Sequence, residues 1–234
     1  AKRLADAVMS KTPIGVFGDY DVDGAAAAAL LVKVMRDLGV AVDVHIPDRF
    51  SEGYGPNETA LMALRERGAK LLVTVDCGIT AHAPLAAVAD SGMDVIVIDH
   101  HIAGPELPPA HSVINPNRLD ETGEYGVLCA AGVCFITLVG LVRELRGRQF
   151  FTDQRPAPDL MMRLDLVALA HHRAQLAREH AREEEEGDRE DAGERLHRLR
   201  PRRVVLVDRR LQVRGVEGAL VLPLPLDPLH QLGE

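Results

Sequence analysis

The amino-acid sequence predicts an α/β fold: a doubly wound, mainly parallel five-stranded sheet with a helical extension and an irregular C-terminal tail. Between residues 12 and 116, short apolar runs alternate with longer segments of helical periodicity, which is the order of βαβ units. Hydrophobic residues make up 47% of the chain but aromatic residues only 3%, so the core must consist mainly of aliphatic side chains. Such a core suits a parallel sheet that helices cover on both faces.

Five short runs rich in apolar residues are the predicted strands, because strands that helices cover on both faces are mostly apolar. In chain order they are Ile14–Phe17, Val40–Ile46, Lys70–Val75, Val95–Ile98 and Ser112–Ile114. The helices predicted between them are Ala25–Leu38, Pro56–Arg67 and Ala81–Ser91. Two further helical segments, at residues 127–146 and 158–170, form the predicted extension.

The composition changes after Ala170, and we predict a domain boundary there. Residues 1–170 would form the folded domain, and residues 171–234 a divergent tail. The tail contains many Arg and no Lys, together with an acidic run at Glu183–Glu186. Charge blocks of both signs are typical of disorder or of a loose helix, and only Val204–Val207 resembles a strand.

The net charge of −8 argues against nucleic-acid binding through a generally basic surface, but it is compatible with a nuclease whose carboxylates hold cations. Cys77, Cys129 and Cys134 form no CxxC pair, so we expect neither a zinc site nor disulfides, and a cytoplasmic location. The longest apolar run, Val127–Val142, is too short for a typical membrane span, so we expect no membrane association. Because the chain opens with Ala1 rather than Met, we expect it to begin inside a longer protein.

Acidic residues and histidines follow three of the predicted strands at the point where each strand ends. The clusters are Asp19, Asp21 and Asp23 after the first strand, Asp76 after the third, and Asp99, His100 and His101 after the fourth. The carboxyl ends of parallel strands line one crevice, so we expect these loops to meet. Clustered carboxylates repel one another and need a cation or raised pKa values. Oxygen ligands with one or two His favour Mn²⁺ or Mg²⁺ over zinc.

Each cluster taken alone has a simpler explanation. The string DYDVDG at Asp19–Gly24 also opens a calcium-binding EF-hand loop, but that loop requires a Glu where this chain has Leu30. It also requires a preceding helix, whereas a strand is predicted here. A lone Asp at a strand end is often a helix N-cap, and a pair of histidines is often unremarkable. Three such clusters at strand ends therefore indicate a metal site more strongly than any one of them.

Four segments of the chain contain short, distinctive motifs: GDYDVDG at Gly18–Gly24, VTVDCG at Val73–Gly78, IDHH at Ile98–His101 and CAAGVCF at Cys129–Phe135. Together they resemble the motifs of the DHH phosphoesterase family. The segments Pro47–Gly55 (PDRFSEGYG) and Leu107–Asn117 (LPPAHSVINPN) are more similar to RecJ-type exonucleases than to the family's pyrophosphatases or oligonucleotide hydrolases. The resemblance covers about residues 1–170, which it identifies as a DHH phosphoesterase domain.

This resemblance implies a 5′ to 3′ exonuclease that hydrolyses the phosphodiesters of single-stranded DNA and releases mononucleotides. Bound Mn²⁺ or Mg²⁺ would lower the pKa of the attacking water and neutralise charge on the phosphoryl oxygens. The implied partners are single-stranded DNA and a single-strand-binding protein.

The resemblance also implies a role for individual residues. The implied metal ligands are Asp19, Asp21, Asp23, Asp76 and His100, with Asp19 either a ligand or a neighbour of the ligands. Asp99 would orient or ligate beside them, and His101 would contact the scissile phosphate or help to activate the water. Arg49 is the candidate for the phosphate at the 5′ end of the strand, and the alternative is an ordinary surface Arg in a loop.

The sequence departs from the family pattern near the end of the resemblance. LDLVALA at Leu164–Ala170 matches, but Ala174 stands where the resemblance requires a further Asp ligand. The family's second domain is not recognisable in the later residues. A frameshifted gene would explain the change, which resequencing of codons 168–176 tests; replacement of the ligand by His171 or His172 is the alternative. We therefore expect a truncated and weakened exonuclease. Two alternative hypotheses are a hydrolase of short oligonucleotides or small phosphate compounds, and an inactive metal-binding remnant.

Overall fold

The computed structural model describes residues 1–176 and residue 179. Its elements, in chain order, are α1 (Lys2–Ser10), β1 (Ile14–Gly18), α2 (Val22–Asp37), β2 (Val42–His45), α3 (Glu58–Glu66), β3 (Leu71–Val75), α4 (His82–Asp90), β4 (Asp94–Ile98), β5 (Ser112–Ile114) and α5 (Ala130–Gly147). A 3-10 turn at Met161–Arg163 leads into helical backbone at residues 164–176. None of the described helices has both the length and the apolar character that a membrane crossing requires.

The five strands form one parallel sheet in the order β2-β1-β3-β4-β5. Ile14 of β1 pairs with Val42 of β2 and with Leu71 of β3, so the neighbouring strands end at similar levels. The winding direction of the chain changes between β1 and β3, and doubly wound sheets bind their ligands at the carboxyl ends beside such a point. The predicted α/β class and the five-stranded parallel sheet are confirmed.

Helices cover both faces of the sheet. On one face, α1, α2 and α5 bury Leu4, Leu30 and Leu138 in a single aliphatic cluster. On the other face, α3 and α4 bury Leu61 and Leu85. Every residue of β1 and β3 is buried, which explains why both strands are continuous apolar runs rather than alternating ones.

Two of the differences from the prediction have a clear physical reason. Helix α1 was not predicted from the sequence, because it has no side-chain N-cap and is held mainly by burying one face, including Val8. Helix α2 begins at Val22 rather than at Ala25 because the Asp21 carboxylate accepts a hydrogen bond from the Gly24 N–H at 2.9 Å. Asp23 therefore lies in the first turn of a helix and not in a loop.

The predicted boundary at residue 170 falls inside helical backbone, which continues without a break from residue 164 to residue 176. Most of the predicted tail, including Val204–Val207 and the acidic run, lies outside the described residues. Its assignment as a separate divergent segment stays a prediction.

Candidate metal centre

The loops at the carboxyl ends of β1, β3 and β4 bring the predicted acidic residues and histidines together. Ligand atoms of Asp19, Asp21 and Asp76 lie within 4.8 Å of one another, and so do those of Asp76, His100 and His101. Asp76 belongs to both groups, which makes its carboxylate the centre of the cluster. The convergence follows from the parallel sheet, since β1, β3 and β4 are consecutive neighbours.

Asp76 occupies a strained and buried position. Its φ angle is 61°, in the left-handed region that non-glycine residues rarely adopt, and it is only 2% exposed. His100 Nε2 lies 3.2 Å from Asp76 Oδ1, yet this oxygen accepts no hydrogen bond from the described residues. Burial, followed by the charges of Asp23 and Asp21, raises the pKa of Asp76 to about 9. A cation would stabilise the ionised form of such a group.

Asp19 is the second buried carboxylate of the cluster. Its Oδ1 atom also lacks a hydrogen-bond donor among the described residues. Burial, together with the charge of Asp21, raises its pKa. A Cβ atom at Gly24 would lie 2.5 Å from the Asp19 carbonyl oxygen, so only glycine lets the first turn of α2 approach this closely. Asp21 itself is exposed and caps α2 from the rim of the site.

The Asp23 carboxylate connects α2 to the first turn of α5. Its Oδ2 accepts a hydrogen bond from Ala130 N at 2.7 Å, and its Oδ1 accepts one from Ala131 N at 2.8 Å. A negative charge is favourable at this helix N-terminus. Oδ2 also lies 3.6 Å from His100 Nε2. Because each carboxylate oxygen has two acceptor positions, these bonds leave room for a cation.

His100 is oriented from behind by backbone. Its Nδ1 lies 3.1 Å from the Leu128 carbonyl oxygen, which can only accept a hydrogen bond, so this nitrogen is the protonated one when the ring is neutral. Nε2 then has its lone pair facing Asp76 and Asp23. This arrangement, in which the outer nitrogen donates to a carbonyl, is typical of a metal-ligating histidine.

Asp99 is completely buried and accepts four hydrogen bonds. Its Oδ1 accepts from the His100 and His101 amides and from His101 Nδ1 at 2.7 Å, and its Oδ2 accepts from Ile79 N at 3.0 Å. Burial opposes ionisation of Asp99, but the hydrogen bonds from His101 and Ile79 outweigh it and lower its pKa. The hydrogen bond between His101 Nδ1 and Asp99 also raises the pKa of His101. Asp99 therefore has the environment of a group that orients His101.

Asn115 and Asn117 support the two histidines, a role that was not predicted from the sequence. Asn115 is only 3% exposed, and its Nδ2 donates to the His101 carbonyl oxygen at 2.9 Å. Asn117 donates from its side chain to the His100 carbonyl oxygen and from its N–H to Asn115 Oδ1. The sequence feature that could have indicated this role is the short Asn-Pro-Asn string after the fifth strand, where amide side chains can hydrogen-bond to a neighbouring loop.

A cavity of about 770 Å³ opens beside the cluster, and it is lined in part by Arg49, Arg173 and Ala174. The guanidinium carbon of Arg49 lies 5.7 Å from the centroid of the Tyr20 ring. Position 174 thus faces the same cavity as the clustered carboxylates. Neither His171 nor His172 is among the residues that line it.

The side chains present fit a hard divalent cation. Carboxylate oxygens dominate the cluster, and two of them are buried without a donor from the described residues. Nearby thiols are poor ligands, because burial raises the pKa of Cys129 to about 11 and that of Cys77 well above its ordinary value. This donor set favours Mn²⁺ or Mg²⁺ over zinc.

Comparison with known proteins decides the family. A family profile described as the DHH family, N-terminal domain, matches residues 13–171. The chain belongs to the DHH family. Over 168 residues its DHH domain is 42% identical to the single-stranded-DNA-specific exonuclease RecJ of Escherichia coli, in an alignment that covers 71% of this chain and 29% of that protein. The Bacillus subtilis exonuclease of the same name is 39% identical over 145 residues, covering 62% of this chain and 18% of that one.

Two solved structures share this domain. The exonuclease RecJ bound to manganese aligns with a TM-score of 0.59 and 34% identity, over 71% of this chain and 41% of that one. RecJ from Thermus thermophilus in complex with Mn²⁺ aligns with a TM-score of 0.55 and 32% identity, over 71% of this chain and 22% of that one. The predicted family resemblance is confirmed. The chain spans less than a third of the length of the two curated relatives.

Proposed function

We propose that this chain is the metal-binding part of a 5′ to 3′ exonuclease that hydrolyses the phosphodiesters of single-stranded DNA. The supporting observation is the carboxylate of Asp76, which belongs to two potential ligand groups and is buried with an oxygen that the described residues leave without a donor. Relatives at 39% and 42% identity are named single-stranded-DNA-specific exonucleases. We infer a soluble, cytoplasmic enzyme that acts on single-stranded DNA, with a single-strand-binding protein as a further partner.

The cation would be Mn²⁺ or Mg²⁺, held by Asp19, Asp21, Asp76 and His100, with Asp23 as a further ligand. Similar RecJ structures contain manganese. When bound, such ions lower the pKa of a water and neutralise charge on phosphoryl oxygens. Because Ala174 has no ligand atom, we expect weaker metal binding than a carboxylate at that position would give.

The protein's own groups orient the substrate and move a proton. Asp99 fixes Nδ1 of His101 as a donor, so the proton that His101 exchanges with the reacting oxygens is at Nε2. The hydrogen bond from His101 to Asp99 raises the pKa of His101, which favours holding that proton near neutral pH. Arg49 lies on the cavity wall, where its guanidinium would bind the phosphate at the 5′ end of the strand.

The test is release of nucleotides from 5′-phosphorylated single-stranded DNA with Mn²⁺. We expect Asp76→Asn to abolish release, a larger loss than the ~10–100-fold typical of groups that only support a ligand. Asp120→Asn makes the same chemical change on an exposed residue and should retain activity. Equal activity of Asp76→Asn and Asp120→Asn would contradict the proposal.

Substrate length and metal binding separate the other hypotheses. Faster release from dinucleotides than from long strands would favour a hydrolase of short oligonucleotides. Calorimetric binding of Mn²⁺ that Asp76→Asn loses, without hydrolysis of any phosphodiester, would indicate an inactive metal-binding remnant.

A further inference from the structure

We propose that Tyr54, in the loop at residues 46–57, stacks on the unpaired nucleobase at the end of a bound strand. This inference rests on the proposed function, because it assigns a subsite for the substrate of the same centre. The loop connects β2 to α3 and passes beside the cavity, whose lining includes Arg49 and His101.

The loop is preformed by its own hydrogen bonds. Asp48 Oδ1 accepts from Phe50 N at 3.0 Å and from both N and Oγ of Ser51 at 2.9 Å. Glu52 Oε1 accepts from Asp48 N at 2.9 Å, while its Oε2 lies 2.7 Å from His45 Nε2 at the end of β2. A loop fixed in this way loses little conformational entropy when a ligand binds.

Two glycines place Tyr54 beside His101 of the candidate metal centre. Gly53 and Gly55 have φ angles of 81° and 82°, in the region that favours glycine, so the chain turns sharply on each side of the tyrosine. The Tyr54 hydroxyl lies 3.4 Å from His101 Nε2, and the two ring centroids are 6.2 Å apart. Tyr54 nevertheless stays 58% exposed, which leaves ring surface available to a ligand.

The surroundings of Tyr54 have the chemistry that recognises a nucleotide. The Tyr20 ring packs edge-on against Tyr54 with a centroid distance of 6.3 Å, and Arg49 lies over Tyr20. Phe50, in the same loop, is 95% exposed and so contributes almost nothing to the core. Aromatic faces stack on bases of any sequence, while guanidinium groups bind phosphates.

The position of the ring predicts an unpaired base as the occupant. A base is joined to its phosphate through one sugar, so a phosphate beside His101 leaves the attached base within reach of Tyr54. Base faces inside a duplex are already covered by their neighbours, whereas an unpaired terminal base offers a free face. The alternative is that Tyr54 only positions His101 through its hydroxyl.

The experiment uses the full 234-residue chain with Mn²⁺ and a 5′-phosphorylated single strand whose first base is fluorescent 2-aminopurine. A phosphorothioate at the first linkage slows hydrolysis. Stacking on the wild-type protein should quench the fluorescence. We expect Tyr54→Leu to lose the quenching and about tenfold in affinity, as for loss of one base–aromatic stack, and Tyr54→Phe to retain both.

A strand with an abasic first nucleotide is the matched control. Wild type and Tyr54→Leu should bind this strand with equal affinity, because it has no base to stack. An equal loss for the abasic and the normal strand, or a Tyr54→Phe as defective as Tyr54→Leu, would overturn the stacking role in favour of the hydroxyl.

Nucleotide release from an ordinary strand separates this proposal from the proposed function. Release without quenching would overturn the stacking site and leave the exonuclease standing. Quenching without release would support the stacking site and count against hydrolysis. Absence of both would overturn both proposals.

Discussion

The interior of the sheet and the loops at its carboxyl edge differ in packing and in polarity. Along β1 and β3, every residue is buried and the side chains pack against aliphatic helices. One residue beyond β3, Asp76 has a left-handed φ angle and a buried oxygen without a donor from the described residues. The well-packed core therefore supplies the stability that offsets the backbone strain and the buried, donor-free oxygen at the candidate metal centre.

The stability of the metal-free protein should depend strongly on pH. The pKa of Asp76 is about 9 in the folded protein and 3.8 ordinarily, so the folded state binds more protons between these pH values. Its stabilising contribution is complete below the lower pKa and is lost as pH rises through the higher one, by at most about 1.4 kcal/mol per pH unit. Urea unfolding in EDTA at several pH values measures this. Asp76→Asn should flatten the profile, and an unchanged slope would contradict the prediction.

A core substitution should act on stability alone. Leu85 is fully buried between α4 and the sheet, so Leu85→Ala should lower the free energy of unfolding by about 2–5 kcal/mol. The loss should be similar with EDTA and with Mn²⁺, because Leu85 is part of the apolar core and has no ligand atom in either potential ligand group. Leu119→Ala removes a side chain that is 74% exposed and should change little. A loss of unfolding free energy that appears only with Mn²⁺ would show that Leu85 also affects metal binding.

Asn115 should belong to the centre although it binds no metal. Asn115→Ala removes the hydrogen bond to the His101 carbonyl and the acceptor for Asn117 N–H. We expect nucleotide release to fall by about 10–100-fold, as for other groups that support a ligand. Asn115→Asp keeps the acceptor for Asn117 N–H but loses the donor to the His101 carbonyl. The rates of nucleotide release by the two variants therefore show which of the two hydrogen bonds matters. Full activity in both variants would show that Asn115 has no role in catalysis.

A carboxylate at position 174 should increase Mn²⁺ affinity by a smaller factor. Ala174 lines the cavity beside the carboxylates, and the family resemblance requires an Asp there. Ala174→Asp should tighten Mn²⁺ binding by about tenfold, the lower end of the effect of groups at a metal site. Ala174→Asn offers a neutral oxygen and should give less. Calorimetric titration measures both, and weaker binding by Ala174→Asp would mean that position 174 does not reach the ion.

Strands and the ends of strands were predictable because they depend on local pattern. Short apolar runs predicted β1, β3 and β4, and the acidic residues and histidines directly after them predicted the cluster. The start of α2 was predicted three residues late, because a capping bond between Asp21 and Gly24 depends on backbone geometry rather than on periodicity. Helix α1 was missed because its stability comes from packing and not from capping residues.

The fold class, the family and the residue types of the candidate centre were predictable from the chain, because strand patterns and motifs are formed by consecutive residues. The contacts that distinguish these residues from one another became visible in the folded protein. Asp23 binds the N-terminus of α5, Asp99 orients His101, and Asn115 supports the histidine loop. These contacts join residues far apart in the chain or depend on side-chain direction, and no local pattern specifies either.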